Sequence, residues 1–78
     1  MAFEKRSLSL SGHRTSLALE PEFWAVLDAA ILARGQSLAS LIGEIDEART
    51  LAMSEQPLSS AVRVWALSYV QASSEGSS

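Results

Sequence analysis

The sequence predicts a mainly α-helical domain with a short N-terminal β-strand, completed by a second copy of itself. Three observations lead there. Residues alternate with period two up to Leu19, the mark of a half-buried strand. Apolar residues then recur at helical spacing in three later stretches. The chain has 78 residues and no cysteine. A domain of this size buries only about 60–65% of its unfolded surface, so it commonly needs disulfides, a metal or a partner subunit. Without cysteine, and with one histidine, neither a disulfide nor an ordinary zinc site can be built. A partner subunit is the remaining device, and an apolar fraction of 47% is generous for so small a surface.

The strand region has two parts. Ser7-Leu8-Ser9-Leu10-Ser11 alternates, and Arg14-Thr15-Ser16-Leu17-Ala18-Leu19 alternates again. The leucines occupy even positions first and odd positions afterwards, which a continuous strand cannot do without a bulge. Ser11-Gly12 suits a two-residue hairpin turn that sets Leu8 opposite Thr15 and Leu10 opposite His13. A bulge, or a loose arm before Gly12, fits the alternation equally well. The firm strand is 13–19.

The first helix is predicted from Pro21 to Arg34. Proline suits the first helical position, and the acids Glu20 and Glu22 suit the positive end of the helix dipole. Phe23, Leu27, Ala30 and Ile31 form its apolar stripe, widened by Trp24 and Val26. Gly35 suits a left-handed cap. Ser37 is a good N-cap for the second helix. Leu38, Leu41, Ile42 and Ile45 form that helix's stripe, which fades near Arg49 to Met53. Residues 54–57 read as a loop. Ser59 or Ser60 is placed to cap a third helix carrying Ala61, Val62, Trp65, Leu67, Tyr69 and Val70. The single domain covers 1–71, and the small polar tail 72–78 is expected to be disordered.

A lone strand or hairpin is not stable in water. A short strand followed by two amphipathic helices has a natural solution: two copies pair their strands antiparallel across a two-fold axis. Leu17, Leu19, Leu27, Ile31, Leu41, Ile42 and Ile45 would then line a shared dimer core.

Charge is divided unevenly. Up to Leu19, Lys5, Arg6 and Arg14 stand against Glu4, a net of +2; the remainder carries a net of −5, giving −3 overall. A basic head on an acidic body points any anion to the head. No apolar run reaches the ~20 residues of a membrane span. The N-terminus lacks the apolar core of a signal peptide. No membrane association and a cytoplasmic location are expected.

From Arg14 to Arg49 the chain resembles the ribbon-helix-helix (Arc-type) family. The resemblance rests on the strand Arg14-Thr15-Ser16-Leu17-Ala18-Leu19, the helix from Pro21 to Arg34, and Gly35-Gln36-Ser37 leading into Leu38-Ala39-Ser40-Leu41-Ile42. Ser11-Gly12-His13-Arg14-Thr15-Ser16, Leu19-Glu20-Pro21-Glu22-Phe23-Trp24 and Leu58-Ser59-Ser60-Ala61-Val62-Arg63 look like a small stand-alone bacterial subgroup of it. Three departures stand out. Glu20 intervenes between strand and proline, a third helix is appended, and many relatives have more basic strands and arms. The resemblance implies a ribbon-helix-helix homodimer with an intermolecular antiparallel ribbon, acting as a transcriptional regulator on double-stranded DNA.

That family reads the major groove with exposed strand positions, here Arg14, Ser16 and Ala18 by parity. Arginine can contact guanine in bidentate fashion, serine is permissive, and alanine can meet a thymine methyl. The resemblance also implies a phosphate clamp at the start of the second helix, formed by Ser37, Leu38, Ala39 and Ser40. The bland alternatives are solvent-facing strand residues and an ordinary serine cap. Lys5 and Arg6 could follow the phosphate backbone as a mobile arm, or simply be solvated.

Catalysis is not expected. No serine has an evident base partner, and His13 suits a turn. Glu44, Asp46 and Glu47 read as a solvated helix face rather than a metal cluster. No cofactor is implied. The competing function is a protein-binding dimer, antitoxin-like or structural, using the acidic body and the broad apolar arc of the third helix. The Trp65 helix could also build a higher oligomer.

Overall fold

In a computed structural model, which describes residues 2–76, two strands are followed by three helices. Strand β1 is Glu4–Leu10 and β2 is His13–Leu19. They pair antiparallel, with Leu8 opposite Thr15, Ser7 opposite Ser16 and Leu10 opposite His13. The turn between them has φ of 52° at Ser11 and 81° at Gly12. Positive φ at both central residues is the requirement of a type I′ turn, whose twist matches that of the flanking strands. The hairpin is therefore the alternative that forms, and the shift in leucine parity is the turn itself.

The fold class agrees with expectation, but the source of the second strand differs. The expected partner of β2 is the strand of a mate; here β1 of the same chain lies beside it. Lys5 and Arg6 accordingly lie in a paired strand, not in a loose arm. His13 opens β2 and is not a turn residue.

Helix α1 spans Pro21–Arg34. The Glu20 carbonyl accepts from Phe23 N (3.0 Å) and Trp24 N (3.2 Å), while the Glu20 side chain makes no cap bond. Gly35, at φ 66°, ends the helix in the left-handed cap that its sequence position predicts. Helix α2 spans Leu38–Leu51 and turns 103° from α1. The Ser37 hydroxyl accepts from Ser40 N at 3.1 Å, the expected N-cap. At the far end Met53 N donates to Thr50 O and Ser54 N to Arg49 O, a Schellman closure with Met53 left-handed at φ 55°.

Helix α3 spans Leu58–Gly76. It begins before the serines expected to cap it, with Ala61 N bonded to the Pro57 carbonyl at 3.0 Å. The tail expected to be disordered from residue 72 instead continues α3 through Gly76; residues 77 and 78 lie outside the described residues. No single helix among the described residues is long and apolar enough to cross a membrane.

The core lies between the inner face of the hairpin and the three helices. Leu8, Leu17, Leu19, Trp24, Leu27, Ala30, Leu41, Ile42, Ile45, Val62 and Ala66 are buried in it. Of the residues expected to line a shared dimer core, only Ile31 is left half-buried; the others are covered by this chain alone. Leu8 from β1 and Val62 and Ala66 from α3 join them in that cluster. The accessible surface, 5139 Å² for 8.4 kDa, is only somewhat above the roughly 4,600 Å² of a compact monomer of that mass.

Candidate nucleic-acid interface

The hairpin has two unlike faces because side chains alternate along each strand. Arg6, Leu8, Leu10, Thr15, Leu17 and Leu19 point toward the helices and are buried or half-buried. The opposite face carries Lys5, Ser7 and Ser9 from β1 and Arg14, Ser16 and Ala18 from β2; all are exposed except the half-buried Ala18. The register sets them in three rungs: Ser9 with Arg14 near the turn, Ser7 with Ser16 in the middle, Lys5 with Ala18 at the base. The expected base-contacting residues Arg14, Ser16 and Ala18 thus share one face. Lys5 joins them from the neighbouring strand.

Arg6 does not. Its guanidinium donates to both Asp28 carboxylate oxygens, at 2.9 and 3.1 Å, and lies 4.4 Å from the centre of the Trp24 ring. Glu4 adds a contact at 3.3 Å. Parity turns Arg6 inward, and the bidentate pair with a ring beneath it holds the cation there. The structure thus places Arg6, expected on DNA phosphate, on the inner face, where it clasps β1 to α1. The Trp24 indole N–H completes the clasp by donating to the Glu4 carbonyl at 2.7 Å. The hydrogen bond from Arg6 holds the Asp28 carboxyl below its ordinary pKa, and the Asp28 bond in turn raises Arg6.

A second clasp joins α3 to the start of α1. Arg63 Nε donates to Glu20 at 2.9 Å, and its guanidinium lies 5.7 Å from the Phe3 ring and 5.8 Å from the Phe23 ring. The Glu20 carboxyl is held below its usual range, first by its own backbone N–H and then by Arg63.

Cations elsewhere are also committed: Arg34 to Glu44 at 3.2 Å, and Arg49 to Asp46. Among the described residues, the cations with no ion pair are Lys5 and Arg14, and both stand on the outer face of the hairpin. An overall acidic chain thus concentrates its unneutralised positive charge on one ribbon surface.

The start of α2 is less open than its sequence implies. Ser40 N is already bonded to Ser37 Oγ, and Gln36 Nε2 donates to Ser40 Oγ at 3.2 Å and to Glu44 at 2.7 Å. The first-turn N–H groups of Leu38 and Ala39 have no acceptor within the helix.

Sequence parity finds the outer face of β2 but misses Ser7 and Ser9. Their signal is present in the alternation of 7–11; it becomes a statement about a face only once the turn at Ser11-Gly12 fixes the register.

Comparison with known proteins agrees with this geometry. No curated protein matches the chain. An uncharacterized protein from Bordetella pertussis Tohama I is similar in structure, with a TM-score of 0.77 and 36% sequence identity over 96% of this chain. The match takes in 61% of that protein, so the present chain spans about six-tenths of its length. The family description "Ribbon-helix-helix domain" fits residues 3–70, which include both strands and most of α3. The chain belongs to the ribbon-helix-helix domain family.

Proposed function

We propose that this chain is a sequence-specific DNA-binding protein, a cytoplasmic transcriptional regulator that lays the outer face of its hairpin in the major groove. The family is generally one of DNA-binding regulators. The observation that carries the reading is the placement of charge. Arg34, Arg49 and Arg63 on the helical body and the inward-facing Arg6 are paired with acids, while Lys5 and Arg14 flank the serines of the exposed face. A two-stranded ribbon fits the major groove, where arginine reads guanine and small side chains meet the other bases. Lys5 supplies phosphate or base contact, and the Leu38 and Ala39 N–H groups of α2 supply further phosphate donors.

Selection of bound sequences from a random duplex library, at moderate salt, tests this. Enrichment of a short motif that is lost with Arg14→Ala is the expected result. A folded protein that enriches no sequence would overturn the reading.

A second reading rests on α3, whose outer surface exposes the uncharged residues Val64, Leu67 and Val70. This stripe suits a protein partner, or a second copy forming the homodimer expected from the sequence. Binding there survives Arg14→Ala, which separates the two readings.

A further inference from the structure

Helix α3 leaves the large apolar side chains of Val64, Leu67 and Val70 exposed. Val64, Leu67, Ser68 and Gln71 fall at i, i+3, i+4 and i+7 and form one exposed face. Two apolar grooves flank it. The groove against α2 is lined chiefly by Ala48, Ala52, Ala61, Trp65 and Ser68. The groove against α1 is lined by Phe23, Val26, Ala66, Leu67 and Val70, with Glu22. Arg49 also lines the α2 groove, but it is paired with Asp46 at 2.6 Å and donates to the Gln56 carbonyl. From Val64 to Ser74 no residue of α3 is charged. The rest of the helical body differs: it exposes Glu22 and Asp28 on α1, and Glu44 and Glu47 on α2.

We infer that this face binds a second copy of the chain, α3 packing antiparallel on α3 across a two-fold axis near Leu67 and Ser68. The inference rests on the second reading above, that α3 docks a partner, and is independent of DNA binding. Contiguous exposed apolar surface marks an interaction site; charge and shape say which partner fits.

Charge comes first. A two-fold contact joins the same patch of both copies, so any charge near the axis meets its own kind. Like charges set together are strongly unfavourable. A chain of net charge −3 can therefore meet itself closely only where it carries no charge, and α3 supplies that face. A foreign partner of this acidic body would be recognised through the acids of α1 and α2, which lie outside the face.

Shape agrees. The middle of the face falls between Leu67 and Ser68. Antiparallel packing about that point sets Leu67 of each copy against the small Ser68 of the other, beside the alanine-lined groove. Ridges of one helix then enter grooves of the next, as helix packing requires. The contact uses no residue of the outer hairpin face, where Lys5 and Arg14 stand. It also lies outside the strands, so it adds to any pairing that copies make through their ribbons and joins two ribbon-bearing units.

Sedimentation equilibrium over a concentration series tests this on the full chain, Leu67→Glu, Leu67→Lys and an equal mixture of the two variants. Leu67 is exposed, and circular dichroism verifies folding. The expected result is that the parent assembly has twice the mass of either variant, whose association through α3 is weakened by roughly a hundredfold or more. The mixture should regain the parent mass, because opposite charges then meet at the axis. The parent should keep its mass at about 1 M salt, where the mixture loses it, since only the mixture relies on charge. Equal masses for the parent and both variants would overturn self-pairing. Binding of the apolar dye anilinonaphthalene sulfonate then separates the two failures. Stronger dye binding by the parent than by the variants would leave α3 as an open face for a foreign protein. Equal dye binding would overturn the reading of α3 as a docking surface as well.

Discussion

Ser11 and Met53 hold left-handed backbone without being glycine. A side chain in that region costs about 1–2 kcal/mol relative to glycine's free access. At Met53, exposed at 88%, no burial offsets the cost. Met53→Gly should therefore raise stability by up to about 1 kcal/mol after the added chain entropy of glycine is subtracted. Urea denaturation would show it as a higher midpoint at unchanged slope. Gly12→Ala acts in the opposite direction. Nothing lies within 4 Å of a Cβ built there, so only the φ of 81° is offended. A loss of roughly 1–2 kcal/mol is expected. Trp24→Phe keeps the ring in the core but strands the Glu4 carbonyl that the indole N–H now satisfies. A loss of about 1–3 kcal/mol in the same denaturation assay is expected.

Among the elements, the hairpin is held to the helices by its leucines and by the Arg6–Asp28 pair. The pH dependence of that pair follows from the direction of the Asp28 shift. Its carboxyl is stabilised in the charged form when folded, so the contribution is present above the ordinary carboxylate pKa of about 4 and is lost as pH falls through the lower folded value. Asp28→Asn should therefore unfold at a lower temperature than the parent at pH 7, with the gap closing as pH approaches about 2. A gap that persists at that acidity would place the effect of the mutation elsewhere. The carboxylate is half exposed, so solvent screening keeps the gap small.

The same elements show what is legible in the sequence. Pro21, Gly35 and Ser37 mark helix boundaries through backbone chemistry that acts locally, and those boundaries agree with the structure. The parity shift at Ser11-Gly12 is equally local, but it admits a bulge or an arm until the long-range contacts of Leu8 and Arg6 decide for a hairpin. Arg6 escapes a sequence reading because its role depends on Asp28 and Trp24, both about twenty residues away. The tail escapes it because its small polar composition resembles a linker, although no proline or β-branched residue follows Val70 to interrupt α3.

For the whole molecule, the division of charge sets how any polyanion is approached. The acidic helical body repels a duplex, and the two unpaired cations of the ribbon attract it. If Lys5 and Arg14 each neutralise one phosphate equivalent, the logarithmic salt slope per chain should be about −1.8, and either alanine substitution should lower its magnitude by about 0.9. Titration at several salt concentrations measures this directly. The contribution of α3 to the core is not legible in the sequence because leucines that face a mate and leucines that face one's own third helix have the same spacing.

The intrachain ribbon also bears on dilution. A strand pair assembled from two chains comes apart when diluted below its dimerisation constant. A ribbon closed by a two-residue turn cannot be diluted apart. The pairing of β1 with β2 is therefore independent of protein concentration.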